Sequence, residues 1–158
     1  MVGLTLKIRQ YQSSDNNAIW KLHCLALKPT GAMLPGGPWN DDDLNDVQSE
    51  YIDNGGDFLI GTVDNRIVCM GALKKKSDSM AEIKRMRVHP DFQRKGFGQI
   101  ILNNLEEKAR QFGYTELCLD TTTKQIPAQK LYEKNGYHQV GRTTYAGLDI
   151  IFYEKKIK

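Results

Sequence analysis

The stretch Gln93–Arg94–Lys95–Gly96–Phe97–Gly98 points most directly to chemistry. It lies between a segment of strand character and a segment of helical periodicity. Gly96 and Gly98 let a backbone turn tightly and approach a ligand with no Cβ in the way. A helix start adds N–H groups without intrahelical partners and a partial positive charge. Together these make an anion site, and Arg94 and Lys95 bring formal charge to it. The spacing is not that of a Walker loop, because no Gly-Lys-Ser/Thr follows. It is not the dinucleotide fingerprint either, because Gln99, Ile100 and Ile101 follow Gly98 and no third glycine does. A phosphate-bearing ligand and a plain glycine-rich turn both fit this stretch taken alone.

The run from Val88 through Gly98 resembles the Q/R-x-x-G-x-G/A signature of the GNAT acetyltransferases, with Gln93, Gly96 and Gly98 at the matching positions. The later segment LYEKNGY, Leu131–Tyr137, is also similar to that family, as is the order of elements over nearly the whole chain. The resemblance implies acetyl-CoA as co-substrate, with no metal. The turn Gln93, Arg94, Lys95, Gly96, Phe97, Gly98 and Gln99 would hold the pyrophosphate of coenzyme A. The strand edge at Met86, Arg87 and Val88 would pair with the pantetheine arm, a form of β-augmentation. In such folds this strand and the next splay apart, and the arm lies in the gap.

Acetyl transfer to an amine poses two proton problems. An alkyl ammonium has a pKa of about 10.4 and holds its proton at neutral pH. The leaving thiolate, whose thiol has a pKa of about 8.5, must be protonated or stabilised. Tyr132 follows Ala128 by one helical turn, hence on the same face. By resemblance it points at the coenzyme sulfur and acts as general acid; a core tyrosine is the structural alternative. Glu82, on the strand that leads to the turn, resembles the family's general base, acting directly or through water. An exposed carboxylate paired with Lys84 is its alternative. Gln125 falls where relatives often place a pantetheine-contacting Asn. His23, His89 and His138 show no metal-ligand spacing. Cys118, on a buried strand with no His near in sequence, disfavours an acetyl-cysteine route. Direct transfer in a ternary complex is expected.

These residues need a scaffold, and the patterning supplies one. Leu4–Arg9 alternates as a strand. Ser13 and Ser14 offer a cap to a helix carrying Ala18, Ile19, Leu22, Leu25 and Ala26. Lys28–Asn40, with Pro29, Gly31, Pro35, Gly36, Gly37 and Pro38, is a loop. Asn40 caps a second helix with Asp41, Asp42 and Asp43 in its first turn and Leu44, Val47 and Tyr51 as its stripe. Gly55 and Gly56 end it. Asp57–Val63 and Arg66–Leu73 form a hairpin about Asp64–Asn65. Met80–Val88 is the next strand, and its parity breaks: Ile83 is odd, Met86 and Val88 even. A bulge near Lys84–Arg85 accounts for that. Ile100, Ile101, Leu105, Ala109 and Phe112 mark a long helix stopped by Gly113. Glu116–Asp120 is a short strand, and Pro127 opens a helix ending at Asn135–Gly136. Tyr137–Thr144 and Asp149–Lys155 are the last strands.

The expected order is β-α-α-β-β-β-α-β-α-β-β, an α+β fold (α/β three-layer sandwich) with a GNAT-like mixed, mostly antiparallel central sheet. With 158 residues and no linker, residues 1–158 read as a single acetyl-CoA-binding N-acetyltransferase domain. The net charge of +3 is mild. Lys84, Arg85, Arg87, Arg94 and Lys95 cluster, but no nucleic-acid reader motif accompanies them. No apolar run approaches a bilayer span, and MVGLTLKIRQ lacks a signal-peptide core, so a cytoplasmic protein without membrane partners is expected. Cys24, Cys69 and Cys118 are spaced as free thiols.

The expected function is N-acetylation of a small-molecule or peptide amine. The alternative is a non-catalytic acyl-CoA-binding, sensing domain. Met33, Leu34 and Trp39 would wall the acceptor site. Asp41, Asp42, Asp43, Asp46 and Glu50 would attract a cationic amine or, as the plainer expectation, serve as helix N-terminal charge on a solvated face. A homodimer is compatible with the family, through a terminal strand or the edge near residues 145–155.

Overall fold

The computed structural model describes residues 4–33 and 41–158. Seven strands form one mixed sheet: β1 (Lys7–Gln10), β2 (Asp57–Val63), β3 (Arg66–Lys75), β4 (Met80–Val88), β5 (Glu116–Thr122), β6 (His138–Tyr145) and β7 (Leu148–Lys156). Their spatial order is β1-β2-β3-β4-β5-β7-β6. Only β4 and β5 run parallel, and they pair only through Met80–Glu116, Ala81–Leu117 and Glu82–Cys118. Beyond Glu82 the two strands part. The sheet therefore opens at its middle, as expected.

Helices cover both faces, giving three layers. Helix α1 (Asn16–Leu27) and the short α2 (Val47–Glu50) lie on one side; α3 (Phe97–Gln111) and α4 (Ile126–Lys134) lie on the other. The two-residue period of the strands divides the core accordingly. Phe58, Ile60, Met70 and Ala72 pack with Ile19, Leu22, Leu44 and Tyr51. Leu59, Leu73, Ala81 and Ile83 pack with Ile101, Leu102, Leu105 and Tyr132.

The parity break in β4 is a bulge. The register jumps from Met70–Arg87 to Ala72–Lys84, so Gly71 faces the extra residue. Arg85 sits there with φ 55°, a conformation that costs a non-glycine residue about 1–2 kcal/mol. As a result Met86 and Val88 join the same core as Ala81 and Ile83. Gly71 is required opposite the bulge. A Cβ there would come within 2.6 Å of Ile101 Cγ2 and 2.7 Å of Met86 Sδ, so α3 could not seat.

Several elements differ from expectation. The first strand starts at Lys7, not Leu4. Ser13 and Ser14 do not cap α1; a 3-10 turn at Ser13–Asp15 precedes it, closed by Asp15, which accepts from the Gln12 N–H at 2.8 Å. The second helix is not continuous. Residues Asp42–Asn45 and Ile52–Asn54 are 3-10 turns on either side of α2. Its stripe holds regardless, with Leu44, Val47 and Tyr51 buried. Asn40, Leu34 and Trp39 lie outside the described residues. Phe97 and Leu102 replace Ile100 and Phe112 in the buried stripe of α3. The hairpin turn at Asp64–Asn65 holds both residues at positive φ, 50° and 64°, as a two-residue turn requires.

Candidate active site

A cleft of about 460 Å³ follows the outer edge of β4 to the start of α3. Met86, Arg87, Val88, Gln93, Arg94, Gly96, Phe97, Gly98 and Gln99 line it. The turn expected to bind phosphate therefore forms one end. Arg94 and Gly96 take positive φ, 61° and 81°, which turns the chain sharply into α3. A Cβ on Gly96 would meet no protein atom within 4 Å, so the backbone there is open to a ligand. The first helical bond runs from Ile100 N–H to Gly96 O at 3.1 Å, leaving the N–H groups before it for an anion. The Gln93 amide donates to Val88 O at 3.2 Å and braces the turn against the strand. Gln99 and Asn135 exchange side-chain hydrogen bonds at 2.8 Å, tying α3 to the end of α4. Lys95 is exposed beside the turn.

A second cleft, about 380 Å³, opens on the α1 side of the parted strands. Its walls include His23, Met33, Asp41, Glu82, Lys84, Arg85 and Asp120. Leu27, Met86, Arg87, Gln125, Ala128 and Tyr132 border both clefts. The two spaces therefore meet at Tyr132, through the gap between β4 and β5.

Tyr132 projects from α4, is buried, and rests against Tyr137 with ring centroids 5.7 Å apart. Among the described residues none accepts from its hydroxyl. Burial pushes its pKa up to about 12, moderated by nearby Arg87. The hydroxyl thus stays protonated at neutral pH. Glu82 lies on β4 where the strands part. Its nearest cation is Lys76 at 3.8 Å, not Lys84 as its structural alternative had it. Asp120, two residues beyond Glu82's partner Cys118 on β5, borders the same cleft. In the sequence Asp120 stands only as the end of a strand. Gln125 joins both clefts, its carbonyl accepting from the Thr122 N–H at 3.2 Å. Cys118 is pushed up to about 11 by burial and the carboxylate of Glu82, which keeps it a thiol rather than a nucleophile.

The floor of the second cleft is a chain of polar side chains. Tyr51 donates to Asp43. Arg85 grips Asp43 through Nε at 3.0 Å and Nη2 at 2.6 Å, and reaches Asp41 through Nη1 at 3.0 Å. Asp41 meets His23 Nε2 at 2.8 Å, and His23 Nδ1 accepts from Arg87 Nε at 3.2 Å. Arginine can only donate, so Nδ1 is unprotonated and Nε2 carries the proton toward Asp41. Burial lowers the His23 pKa against the pull of Asp41, consistent with a neutral ring. Burial would raise Asp41 and Asp43, but His23 with Arg85 holds the first, and Arg85 with Tyr51 and Lys84 the second, below the usual range. Asp41 and Asp43 are therefore neither helix-end charge nor an open lure for an amine. They are the counter-ions of Arg85. No motif marks His23 in the sequence.

Among the described residues no cluster of three or more His, Cys, Asp or Glu is placed to hold a metal. Nor, among the described residues, is any helix long and apolar enough to cross a membrane.

Residues 17–137 match the sequence model of the acetyltransferase (GNAT) family. The chain is 29% identical to N-acetylaspartate synthetase from Danio rerio over 64% of its length and 36% of the relative's. It is 27% identical to N-acetyltransferase 8 from Homo sapiens, over 77% of its length and 59% of that protein's. The chain thus spans only part of these relatives. Its fold matches a GNAT-family acetyltransferase from Staphylococcus aureus Mu50, with a TM-score of 0.89, 20% identity, and coverage of 98% of this chain and 100% of that one. It also matches yncA from Salmonella typhimurium, solved with its cofactor acetyl-CoA, at a TM-score of 0.81 and 18% identity over 97% and 94% of the two chains.

Proposed function

Because this chain belongs to the acetyltransferase (GNAT) family, we propose that it moves an acetyl group from acetyl-CoA to a primary amine by direct transfer, within a single domain spanning residues 1–158. One observation carries the reading: the cleft that ends at the glycine turn and the cleft on the α1 side share Tyr132 at their junction. A thioester entering from one meets an amine entering from the other.

Acetyl-CoA supplies the activated acyl group. Its pyrophosphate rests on the N–H groups at the start of α3, with Arg94 and Lys95 beside it. Its pantetheine amides lie along Met86–Val88, the edge that β5 leaves unpaired. Each carbonyl there keeps a second lone pair although the Arg87 and Gln93 side chains already use Met86 O and Val88 O. The ammonium of the acceptor loses its proton to Glu82, directly or through water, with Asp120 adding negative charge at the same mouth. The free amine attacks the thioester carbonyl, the C–S bond breaks, and the departing sulfur takes a hydrogen bond from Tyr132. A phenol near pKa 12 does not hand over its proton freely to a thiolate of about 8.5. Tyr132 therefore stabilises the sulfur as charge develops, and the second proton, shed by the attacking nitrogen as the amide forms, completes the thiol.

The test is product analysis. The protein is incubated with acetyl-CoA and a mixed panel of amines and amino acids. Release of coenzyme A together with an acetylated amine is expected. Acetyl-CoA binding with no product from any acceptor would instead mark a sensing domain.

A further inference from the structure

Two neighbouring arginines on β4 stand in opposite electrostatic positions. Arg85 is matched by two carboxylates, Asp41 at 3.0 Å and Asp43 at 2.6 Å. Arg87 has none: among the described residues no carboxylate comes within ion-pairing distance. Its Nε donates to neutral His23 and its Nη1 to Met86 O at 2.7 Å, leaving Nη2 without a partner. Yet among the described residues every side-chain nitrogen or oxygen shut off from solvent has one. The unused Nη2 donors of Arg87 must therefore open onto the clefts it borders. Asp41, the anion that might have served it, is already shared between Arg85 and the His23 Nε2–H.

On the acetyltransferase reading, we propose that Arg87 is the carboxylate anchor of the acceptor site, and that the acceptor is an amino acid or another amine bearing a carboxylate. The two free N–H groups of Nη2 offer a carboxylate charge-assisted hydrogen bonds. The coenzyme cannot supply the missing anion here. The arm that reaches Tyr132 carries only amides and a thioester, and its phosphates belong at the turn. Charge balance in the acceptor cleft agrees. Its described lining bears three cations (Lys84, Arg85, Arg87) and three anions (Asp41, Glu82, Asp120), which suits a zwitterion better than a polyamine. With its carboxylate on Arg87, such a ligand turns its ammonium toward Glu82 and Asp120. Burial, with repulsion from Arg85, lowers the Arg87 pKa to about 10, the mark of a cation lacking its counter-ion.

The experiment uses product pairs: N-acetylated amino acids, each beside the acetamide of its decarboxylated amine. Binding is measured by calorimetry in the presence of coenzyme A, for the wild type and for Arg87→Gln and Arg87→Lys. Wild type is expected to favour the best carboxylate member about 100-fold or more, because an analogue without the group leaves a buried donor unpaired. Arg87→Gln should bring that preference below about threefold, and Arg87→Lys should keep part of it. Equal binding of the two members by wild type, or an equal loss for both in Arg87→Gln, would overturn the proposal and assign Arg87 to the reacting acetyl group. Neither readout requires turnover. A failure of the acetyltransferase reading shows separately, as absence of stabilisation by acetyl-CoA in the same proteins.

Discussion

The turn proposed to hold the coenzyme is one unbroken stretch, Gln93–Gln99, and it offers mainly backbone: a left-handed Gly96, a helix start, and open space where a side chain would stand. The floor of the cleft proposed for the acceptor is the reverse. It is made of side chains, with His23 from α1, Asp41 and Asp43 from the segment before α2, Tyr51 after it, and Arg85 and Arg87 from β4. The first site is specified locally, so any chain with that turn in that place would own it. The second exists only when four distant segments meet. A backbone site suits a ligand that does not vary. A side-chain site can be retuned by single substitutions while the coenzyme end stays as it is.

If that contrast is right, substitutions at the two ends should separate cleanly. The largest effect is expected where they join. Tyr132→Phe should lower kcat by about 10²–10³ with acetyl-CoA affinity nearly unchanged, as measured by steady-state kinetics and calorimetry. Glu82→Gln should flatten the acidic limb of the pH–rate profile, the limb that reports an essential base. Unchanged turnover in the first would remove Tyr132 from the reaction, and an unaltered profile in the second would leave Glu82 a structural carboxylate.

Next is Arg85→Ala. It strands Asp41 and Asp43 without their cation, and breaking a largely buried pair in this way costs about 3–5 kcal/mol. Chemical denaturation should report that loss, while the remaining folded protein still binds acetyl-CoA. A loss below about 1 kcal/mol would mean that the network is not what orders the acceptor floor.

Gly96→Ala is expected to be milder and opposite in kind. Strain at φ 81° costs about 1–2 kcal/mol, and the new methyl enters the coenzyme cleft. Acetyl-CoA affinity should fall about tenfold, with the relative preference among acceptors unchanged. A change in acceptor preference would show that the ends are coupled.

The smallest effect is in acid. Burial holds the His23 pKa below its ordinary value, so the unfolded chain takes up that proton first. Its contribution to stability is complete above pH of about 6.5 and is lost as pH falls below it. A second loss follows below about pH 3.9, because Asp15, paired with Arg9, and Asp41 and Asp43, paired with Arg85, all sit below the usual range. Denaturation midpoints should therefore decline in two stages, and His23→Gln should lack the first.

The same division explains what could be read from the chain. The glycine turn, the hairpin at Asp64–Asn65 and the bulge at Arg85 all announce themselves within a few residues, by glycine, by turn chemistry or by a break in parity. The layered order of elements followed from periodicity, and residues 17–137 match the family that the Val88–Gly98 and Leu131–Tyr137 motifs resemble. The second helix was over-read: three aspartates looked like N-terminal charge, but Asp41 and Asp43 turn inward to Arg85, and the backbone breaks into short turns around them. His23, Asp120 and the ion pairs were illegible because nothing local distinguishes a buried partner from a solvated charge. Long-range packing decides that.

The most direct test is thermal melting with acetyl-CoA, with ATP and NADH as controls for generic phosphate binding. At about 100 times Kd a ligand adds roughly 2.7 kcal/mol, a rise of about 5–10 °C for a domain of this size. A rise with acetyl-CoA alone is the predicted result. No rise at millimolar acetyl-CoA would contradict the account, because the turn at Gln93–Gln99 would then not be a working coenzyme site.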